Sequence, residues 1–236
     1  SSAASDVYKR QEWKNDRWGI LIGGRLDKHN MVDNVIFSPR ANLRFNPTQN
    51  INLRLSYSSG FRAPQAFDED MHIENVGGTV AMIERAKDLK EEKSQSFSVS
   101  ADMYHRFGAF QTNLLIEGFY TRLTDVFVLG KPYDRGDGIL VKTRSNGPGA
   151  KVMGLTLEGK VAYLSILQIQ AGLTLQRSRY DEPHKWHDDA PAEKKIFRTP
   201  DTYGYFTATC TPIKPLSIAL SGTYTGRMLV QRMDIT

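Results

Sequence analysis

The chain has 236 residues, 40% hydrophobic and 24% charged, with a mean hydropathy of −0.44 and a net charge of +5. Taken alone these values describe a soluble globular protein, but they also fit a transmembrane β-barrel, because half of each strand faces a polar lumen. The basic residues are spread along the chain without a compact basic helix, so nucleic acid is not expected as a partner. The lone Cys210 has no disulfide partner or zinc-type neighbour and is interpreted as a small apolar strand residue.

The first eleven residues, SSAASDVYKRQ, have no apolar core and are not a signal peptide. They resemble translated sequencing-adapter sequence, so we interpret residues 1–11 as a non-native leader and expect the native N-terminus upstream. The most apolar run, 161–176, is shorter than the ~20 residues of a spanning helix and contains three glutamines. No transmembrane helix is therefore expected.

Alternation of apolar and polar residues, the pattern of a half-buried strand, dominates the rest of the chain. It predicts about nine strands, at 18–26, 39–46, 51–58, 96–103, 110–122, 151–162, 166–179, 201–210 and 216–226. Most are close to the ~9–11 residues that a tilted strand needs to cross a bilayer. The expected fold class is all-β, with antiparallel strands in up-and-down order.

The connections between these strands alternate in length. Short turns are predicted at 46–50, 106–109, 163–165 and 211–215, whereas the connections after Gly60, Arg122 and Arg179 are long and rich in charge, Gly and Pro. Compact soluble domains rarely carry several such loops, and short turns opposite long loops are typical of outer-membrane barrels. Strand alternation alone also fits a soluble β-sandwich.

The polar faces of the predicted strands carry Arg40, Arg44 and Arg54, which would face solvent in a sandwich and a wet lumen in a barrel. Aromatic residues lie mostly towards predicted strand ends, where a barrel has its interfacial girdles. They are Tyr57, Phe61, Tyr104, Phe107, Phe110, Phe119, Tyr120, Tyr163, Tyr203, Tyr205 and Tyr224.

Several short motifs occur in an order shared with one family. They are IGGRLD at 22–27, SPRANLRF at 38–45, LRLSYSSGFRAP at 53–64, LKEEKSQS at 89–96, GFYTRLTDVF at 118–127 and NGPGAKVMGLTLE at 146–158, followed by segments at 200–203 and 220–226. The most specific is the strand that runs into Gly-Phe-Arg-Ala-Pro. In joint order and spacing, over nearly all of residues 17–230, they resemble the barrel of TonB-dependent outer-membrane receptors, most closely those of Bacteroides-like bacteria.

The resemblance implies a 22-stranded barrel with a plugged lumen. Residues 12–236 would then be a partial transmembrane β-barrel of about nine strands, with the plug domain and terminal strands missing. It further implies a location in the bacterial outer membrane and three partners: TonB through the missing plug, a small-molecule or oligosaccharide ligand, and outer-membrane lipid or lipopolysaccharide. Ligand capture at the extracellular mouth would be followed by plug displacement, without a cofactor.

The family topology would place the long loops, 27–34, 61–92, 123–149 and 180–200, outside the cell, where ligand contacts are expected. The first candidate contacts are Arg62 and the acidic cluster Asp68, Glu69, Asp70, His72 and Glu74. Clustered carboxylates suit a cation or metal chelate, but a solvated acidic loop is the commoner explanation. Arg62 suits carboxylate and phosphate groups, but its expected role is structural, at the exit from the strand.

Two further candidates lie in later loops. His184 and His187, flanked by Asp181, Glu182, Asp188 and Asp189, could contact a transition metal, although two His three residues apart in a loop have no fixed relative direction. Arg135 and Asp137, with Lys131, lie in a turn-like segment that contains an RGD tripeptide, a match that arises by chance. His29 and His105 are interpreted as rim or turn residues, and no metal site is predicted.

No nucleophile elbow, phosphate-binding loop, dinucleotide fingerprint or zinc-hydrolase motif occurs in the sequence. Enzyme activity and catalytic residues are therefore not expected. The leading hypothesis is a receptor for energy-dependent uptake of a scarce nutrient, such as a siderophore–iron complex, a cobalamin-like cofactor or an oligosaccharide. The alternatives are a passive porin and a soluble β-sandwich carbohydrate-binding module.

Overall fold

The computed structural model describes residues 5–28, 35–63, 81–130, 133–134, 136, 140–184, 193–196, 198–213 and 215–229. These residues form fifteen strands. The strands are β1 Ser5–Lys14, β2 Trp18–Lys28, β3 Ile36–Thr48, β4 Ile51–Arg62, β5 Ala81–Arg85, β6 Glu92–Phe107, β7 Phe110–Thr124, β8 Phe127–Leu129, β9 Tyr133–Asp134, β10 Leu140–Asn146, β11 Ala150–Tyr163, β12 Leu167–His184, β13 Glu193–Lys195, β14 Thr202–Ile213 and β15 Leu216–Thr225.

Ten of these strands form one antiparallel meander in the order β1-β2-β3-β4-β6-β7-β11-β12-β14-β15, and β13 adds to β12. Long strands pair along their full length; β7 and β11, for example, stay in register from Phe110 opposite Tyr163 to Leu123 opposite Ala150. The first and last strands of the meander do not pair with each other. The fold is therefore a continuous, unclosed section of barrel wall, as the all-β up-and-down prediction requires.

The nine predicted strands are all present, and the tenth strand of the meander is β1. The predicted fold excludes residues 5–11, yet residues 5–14 pair with β2, from Ser5 opposite Lys28 to Lys14 opposite Gly19. The interpretation of residues 1–11 as a non-native leader stays a prediction. Lys9 and Gln11 of β1 lie opposite Gly24 and Ile22, on the apolar face of β2.

Directly paired residues of neighbouring strands point to the same side of a sheet, so the register defines two faces. One row runs from Leu43 in β3 through Leu55, Val99, Gly118 and Leu155 to Leu175 in β12. Val99 is 59% exposed and Leu55 is 51% exposed, so nothing in the described part of the chain covers this apolar face. A β-sandwich would bury such a face against a second sheet.

Aromatic side chains border the apolar face at both ends. At the end with the short turns, here called the turn-side rim, Trp18 stacks on Phe45 with centroids 4.3 Å apart, and Phe110 contacts Tyr163 at 4.7 Å. At the opposite, loop-side rim, Tyr57 contacts Phe97 at 4.8 Å. Phe107 lies ten positions after Phe97 along β6, a distance of roughly 33 Å at about 3.3 Å per residue. A strand tilt of about 40° reduces this to roughly 25 Å, the height of the apolar band in outer-membrane barrels.

Not every predicted aromatic belongs to these borders. Four of them, Tyr104, Phe119, Tyr203 and Tyr205, lie on the polar face, opposite Asn113, Ser98, Thr174 and Gly172 respectively. A polar cluster accounts for Tyr205: its hydroxyl donates a hydrogen bond to Glu158, and Gln170 Nε2 donates to Glu158 at 3.1 Å and to the Tyr205 oxygen at 3.0 Å. Position near a strand end does not predict the face of such a residue, because the side chains of a strand alternate between its two faces with a period of two.

The polar face also carries Arg40, Arg44 and Arg54, which would face solvent in a sandwich and the lumen in a barrel. Arg44 lies directly opposite Arg54, and Arg40 lies opposite Ser58. The Arg44 guanidinium packs beside Gly19, which has no side chain. A Cβ at Gly19 would lie 3.2 Å from Arg44 Nε. The arginines thus share the face opposite the apolar band, as expected for the lumen side of a barrel wall.

Candidate functional site at the loop-side rim

Segments far apart in sequence converge at the loop-side rim. The predicted loops 61–92 and 123–149 are not without structure, because they contain a second, four-stranded sheet. In it β10 pairs in parallel with β5 and antiparallel with β8 and β9. Val141 of β10 is fully buried, and Arg144 is 8% exposed. This small sheet joins the two loops at the end of the barrel wall where ligand contacts were predicted.

Arg62, from the Gly-Phe-Arg-Ala-Pro motif, lies at the centre of this junction. Its Nη2 atom is 3.7 Å from Glu92 Oε2, and its guanidinium carbon lies 4.9 Å from the centroid of the Phe127 ring. The same Glu92 oxygen accepts a hydrogen bond from the Phe127 backbone N–H at 3.0 Å. Arg62 therefore connects the end of β4 to the starts of β6 and β8, which is the structural role expected for it. Its contact with a ligand stays a prediction.

The side-chain amide of Asn146, the last residue of β10, forms hydrogen bonds to the backbone of two neighbouring connections. Its Oδ1 accepts a hydrogen bond from the Lys90 N–H at 2.7 Å, and its Nδ2 donates to the Lys90 carbonyl at 3.0 Å and to the Asp125 carbonyl at 2.8 Å. Asp125 has a positive φ of 54°, a conformation that Asp tolerates better than most residues. One amide thus holds the start of β6 and the end of β7 in place.

Further along the sheet, ion pairs join different segments of the chain at the loop-side rim. Arg122 Nη2 lies 3.4 Å from Asp181 Oδ2. Lys195 Nζ lies 2.6 Å from Asp201 Oδ2, and Arg179 Nη1 lies 3.7 Å from the other oxygen of the same carboxylate. The hydrogen bond from Lys195, together with the positive charges of Lys195 and Arg179, lowers the pKa of Asp201 against a smaller opposing effect of desolvation.

Most predicted ligand contacts lie outside the described residues. They are Asp68, Glu69, Asp70, His72, Glu74, Lys131, Arg135, Asp137, His187, Asp188 and Asp189. His29, interpreted as a rim or turn residue, also lies outside the described residues. His184 ends β12, with a backbone pairing to Glu193. His105 lies at the turn-side rim, 4.1 Å from the Phe107 ring. Of the predicted candidates, the structure places the side chains of Arg62 and Asp181 at the rim, and the ligand roles of all the candidates stay predictions.

Glu92, Phe127 and Asn146 were not singled out from the sequence, although all three lie within the quoted motifs. An available signal was the position of Asn146 before Gly-Pro-Gly, since an Asn at a strand end commonly bonds nearby backbone groups. Among the side chains that the structure describes, no group of three or more His, Cys, Asp or Glu could hold a metal ion. No helix in the same residues is long and apolar enough to cross a membrane.

Comparison with known proteins places this geometry in a family. The model of the TonB dependent receptor-like β-barrel matches residues 1–228. No curated protein matches the chain. Among solved structures, the siderophore receptor PirA from Acinetobacter baumannii has a TM-score of 0.70 at 15% identity, over 96% of this chain and 34% of that one.

Two further solved structures have the same fold. The FrpB iron transporter from Neisseria meningitidis has a TM-score of 0.67 at 16% identity, over 94% of this chain and 32% of its own. The ferric enterobactin receptor from Pseudomonas aeruginosa also has a TM-score of 0.67, at 18% identity over 94% and 32%. The chain thus spans about a third of the length of these proteins. The family is one of outer-membrane receptors, and its match over residues 1–228 shows that this chain belongs to the β-barrel family of TonB-dependent receptors.

Proposed function

We propose that this chain is part of the wall of an outer-membrane receptor that imports a scarce nutrient with energy supplied through TonB. The observation that carries the proposal is the exposed apolar face of the ten-stranded meander, bordered by aromatic pairs at both rims. In water such a face would be an aggregation site. In a bilayer of matching thickness it is the expected outer surface of a barrel.

The nutrient is a siderophore–iron complex, a cobalamin-like cofactor or an oligosaccharide. The first class has the most support, because the solved structures of similar fold include siderophore receptors and an iron transporter. The loops anchored by Arg62, Glu92 and Asn146 would form part of the binding mouth, since recognition residues commonly lie on loops held by a rigid scaffold. We propose no catalytic role and no resident cofactor, and the source in Bacteroides-like bacteria stays a prediction.

The first experiment is to recover the full-length gene, express the protein and test whether it fractionates with the outer membrane and migrates heat-modifiably on a gel. A detergent-dependent, heat-modifiable protein supports the barrel. A protein that is monomeric and soluble without detergent, with a sheet-type circular dichroism spectrum, overturns it in favour of the soluble binding module.

The second experiment separates a receptor from a passive porin. Uptake of a ferric siderophore panel, cobalamin and oligosaccharides would be compared in hosts with and without TonB. The receptor predicts uptake of one ligand class that is saturable and lost without TonB. Uptake that is unsaturable and equal in both hosts favours the porin.

A further inference from the structure

The polar face of the main sheet carries a row of basic residues in its turn-side half. In register, Lys14 of β1 lies opposite Gly19, Gly19 lies opposite Arg44, and Arg44 lies opposite Arg54. Neighbouring strands are about 4.8 Å apart, so three cationic residues share one row across four strands. We call Lys14, Arg44 and Arg54 the basic row. Like charges directly opposite one another, as in Arg44 and Arg54, destabilise a sheet, unless an anion compensates them.

Two glycines of β2 fix the positions of the arginines beside them. A Cβ at Gly19 would lie 3.2 Å from Arg44 Nε and 3.3 Å from Nη2, so the Arg44 guanidinium occupies the space that a side chain would take. Gly23 and Arg40 repeat the arrangement four residues away on each strand, where a Cβ would lie 3.3 Å from Arg40 Cγ. Arg44 Nε is buried and has no hydrogen-bond acceptor among the described residues, which is unfavourable for a donor.

The described part of the chain supplies no acidic partner for these arginines. No ion pair or side-chain hydrogen bond there involves Arg40, Arg44 or Arg54. The acids closest to Arg54 on the same face are Asp102 and Glu117. Asp102 accepts hydrogen bonds from two other side chains, and Glu117 lies two strands away from Arg54. The positive charge of the basic row is therefore open to an anion from elsewhere.

A lane of small polar residues joins the basic row to the loop-side rim. On the polar face of β4 and β6 the lane consists of Ser56, Ser58, Gly60, Ser94, Ser96, Ser98 and Ser100. Arg62 at the rim lies eight positions from Arg54 along β4, or roughly 26 Å at about 3.3 Å per residue. Within this fully described lane no acidic side chain lies between the two arginines. An anion that leaves the mouth would meet hydroxyl groups and then the basic row.

We propose that the basic row binds a carboxylate or phosphate group of the imported nutrient, which is therefore an anion, after it passes along the serine lane. The proposal rests on the proposed function, because a barrel wall turns its polar face to the lumen and has its short turns on the periplasmic side. Arg guanidinium groups match the oxygens of carboxylate and phosphate, and Arg and Lys select for anions in pores. Of the nutrient classes named above, an anionic iron chelate fits this site and a neutral oligosaccharide does not.

The test uses the full-length receptor, purified in a detergent without phosphorus and titrated with inorganic phosphate, with phosphorus NMR line widths as the measure of binding. Trimethyl phosphate, which has a phosphoryl oxygen but no charge, is the neutral probe and should not bind. The double variant Arg44→Gln/Arg54→Gln should bind phosphate at least about tenfold more weakly, because it loses charge-assisted hydrogen bonds to the anion. Lys160→Gln removes a positive charge from the polar face of β11, outside the row, and should leave phosphate binding unchanged.

The position of the Arg44 side chain is tested separately from the charges. Gly19→Ala should displace the guanidinium and weaken phosphate binding, although the net charge stays the same. Gly159→Ala is the matched control, because a Cβ at Gly159 meets nothing within 4 Å. Equal losses in the two glycine variants, equal losses in Lys160→Gln and the arginine double variant, or equal binding of the two probes would each overturn the anion site.

The outcomes also separate this site from the proposed function. A wild-type receptor that binds no phosphate overturns the site, because another part of the protein then fills the basic row. TonB-dependent uptake of a neutral ligand, or uptake unchanged in Arg44→Gln/Arg54→Gln, refutes the anion site and leaves the proposed function intact. A protein that never reaches the outer membrane refutes the proposed function, and the anion site with it.

Discussion

The two rims of the main sheet are built in different ways. At the turn-side rim, neighbouring strands are joined by turns of two or three residues, and each aromatic contact there lies within one pair of directly hydrogen-bonded strands. At the loop-side rim the key contacts join residues far apart in sequence: Asn146 holds Lys90 across 56 positions, and Arg122 pairs with Asp181 across 59. The turns of the turn-side rim are thus specified locally, whereas the connections at the loop-side rim depend on a few polar side chains.

This difference has a physical consequence. A short turn costs little chain entropy to close, whereas long loops must be ordered by contacts that outweigh that cost. Removing one side chain should therefore disturb the loop-side rim more than the turn-side rim. The predictions below test this contrast, beginning with the largest expected effect.

Asn146→Ala removes three hydrogen bonds to the backbone of Lys90 and Asp125. We expect it to lower the free energy of unfolding by roughly 2–3 kcal/mol, at about 1 kcal/mol per bond. The measurement is urea-induced unfolding of the full-length receptor refolded in lipid bilayers. The control is Asn50→Ala in the exposed β3–β4 turn, expected to change stability by less than about 0.5 kcal/mol. Equal effects of the two substitutions would contradict the contrast.

Glu92→Ala should lower stability by roughly 1–2 kcal/mol, because it removes both the charge beside Arg62 and the acceptor for the Phe127 N–H. Glu92→Gln keeps an acceptor for that N–H and should lose less. The same unfolding measurement ranks the two variants, and limited proteolysis at loop 123–149 reports whether the loop has loosened. If the Gln variant is as unstable as the Ala variant, the charge beside Arg62 and not the hydrogen bond holds β8.

Two turn-side turns use different residues at a left-handed position. Gly108 has a φ of 57° and Leu164 has a φ of 49°. A side chain in this conformation costs roughly 1–2 kcal/mol, which Gly avoids. Leu164→Gly should therefore stabilise the receptor by about 1 kcal/mol and Gly108→Leu should destabilise it by about the same amount. Changes of the same sign in both variants would show that packing of the Leu164 side chain, and not backbone strain, sets the stability of these turns.

The same contrast explains what could be predicted from the sequence. The nine strands and the turns between them follow from a period of two and from local turn residues, and all nine are present. β1 is not in the predicted set because residues 1–11 are interpreted as a leader, and Lys9 and Gln11 also interrupt the alternation on the side of its apolar face. The junction of Arg62, Glu92 and Asn146 could not be predicted, because strand periodicity says nothing about which distant loop residues meet. Tyr205 was assigned to an aromatic border by its position along the strand, although the period of two places it on the polar face, opposite Gly172.

The smallest expected effect concerns pH at the loop-side rim. The pKa of Asp201 is lowered in the folded protein, chiefly by its hydrogen bond from Lys195. A lowered folded-state pKa contributes stability that is present above the unfolded pKa of about 3.9 and is lost as pH falls through the lower folded value. The effect should be small, since the Asp201 side chain is 41% exposed and solvent screens its pairs. Hydrogen exchange of the β13 amides, relative to exchange of the β12 amides, should therefore accelerate only below about pH 4. In the Asp201→Asn variant, the β13 amides should exchange faster at neutral pH and should show no acceleration in acid. If the step persists in Asp201→Asn, another carboxylate controls the pairing of β13.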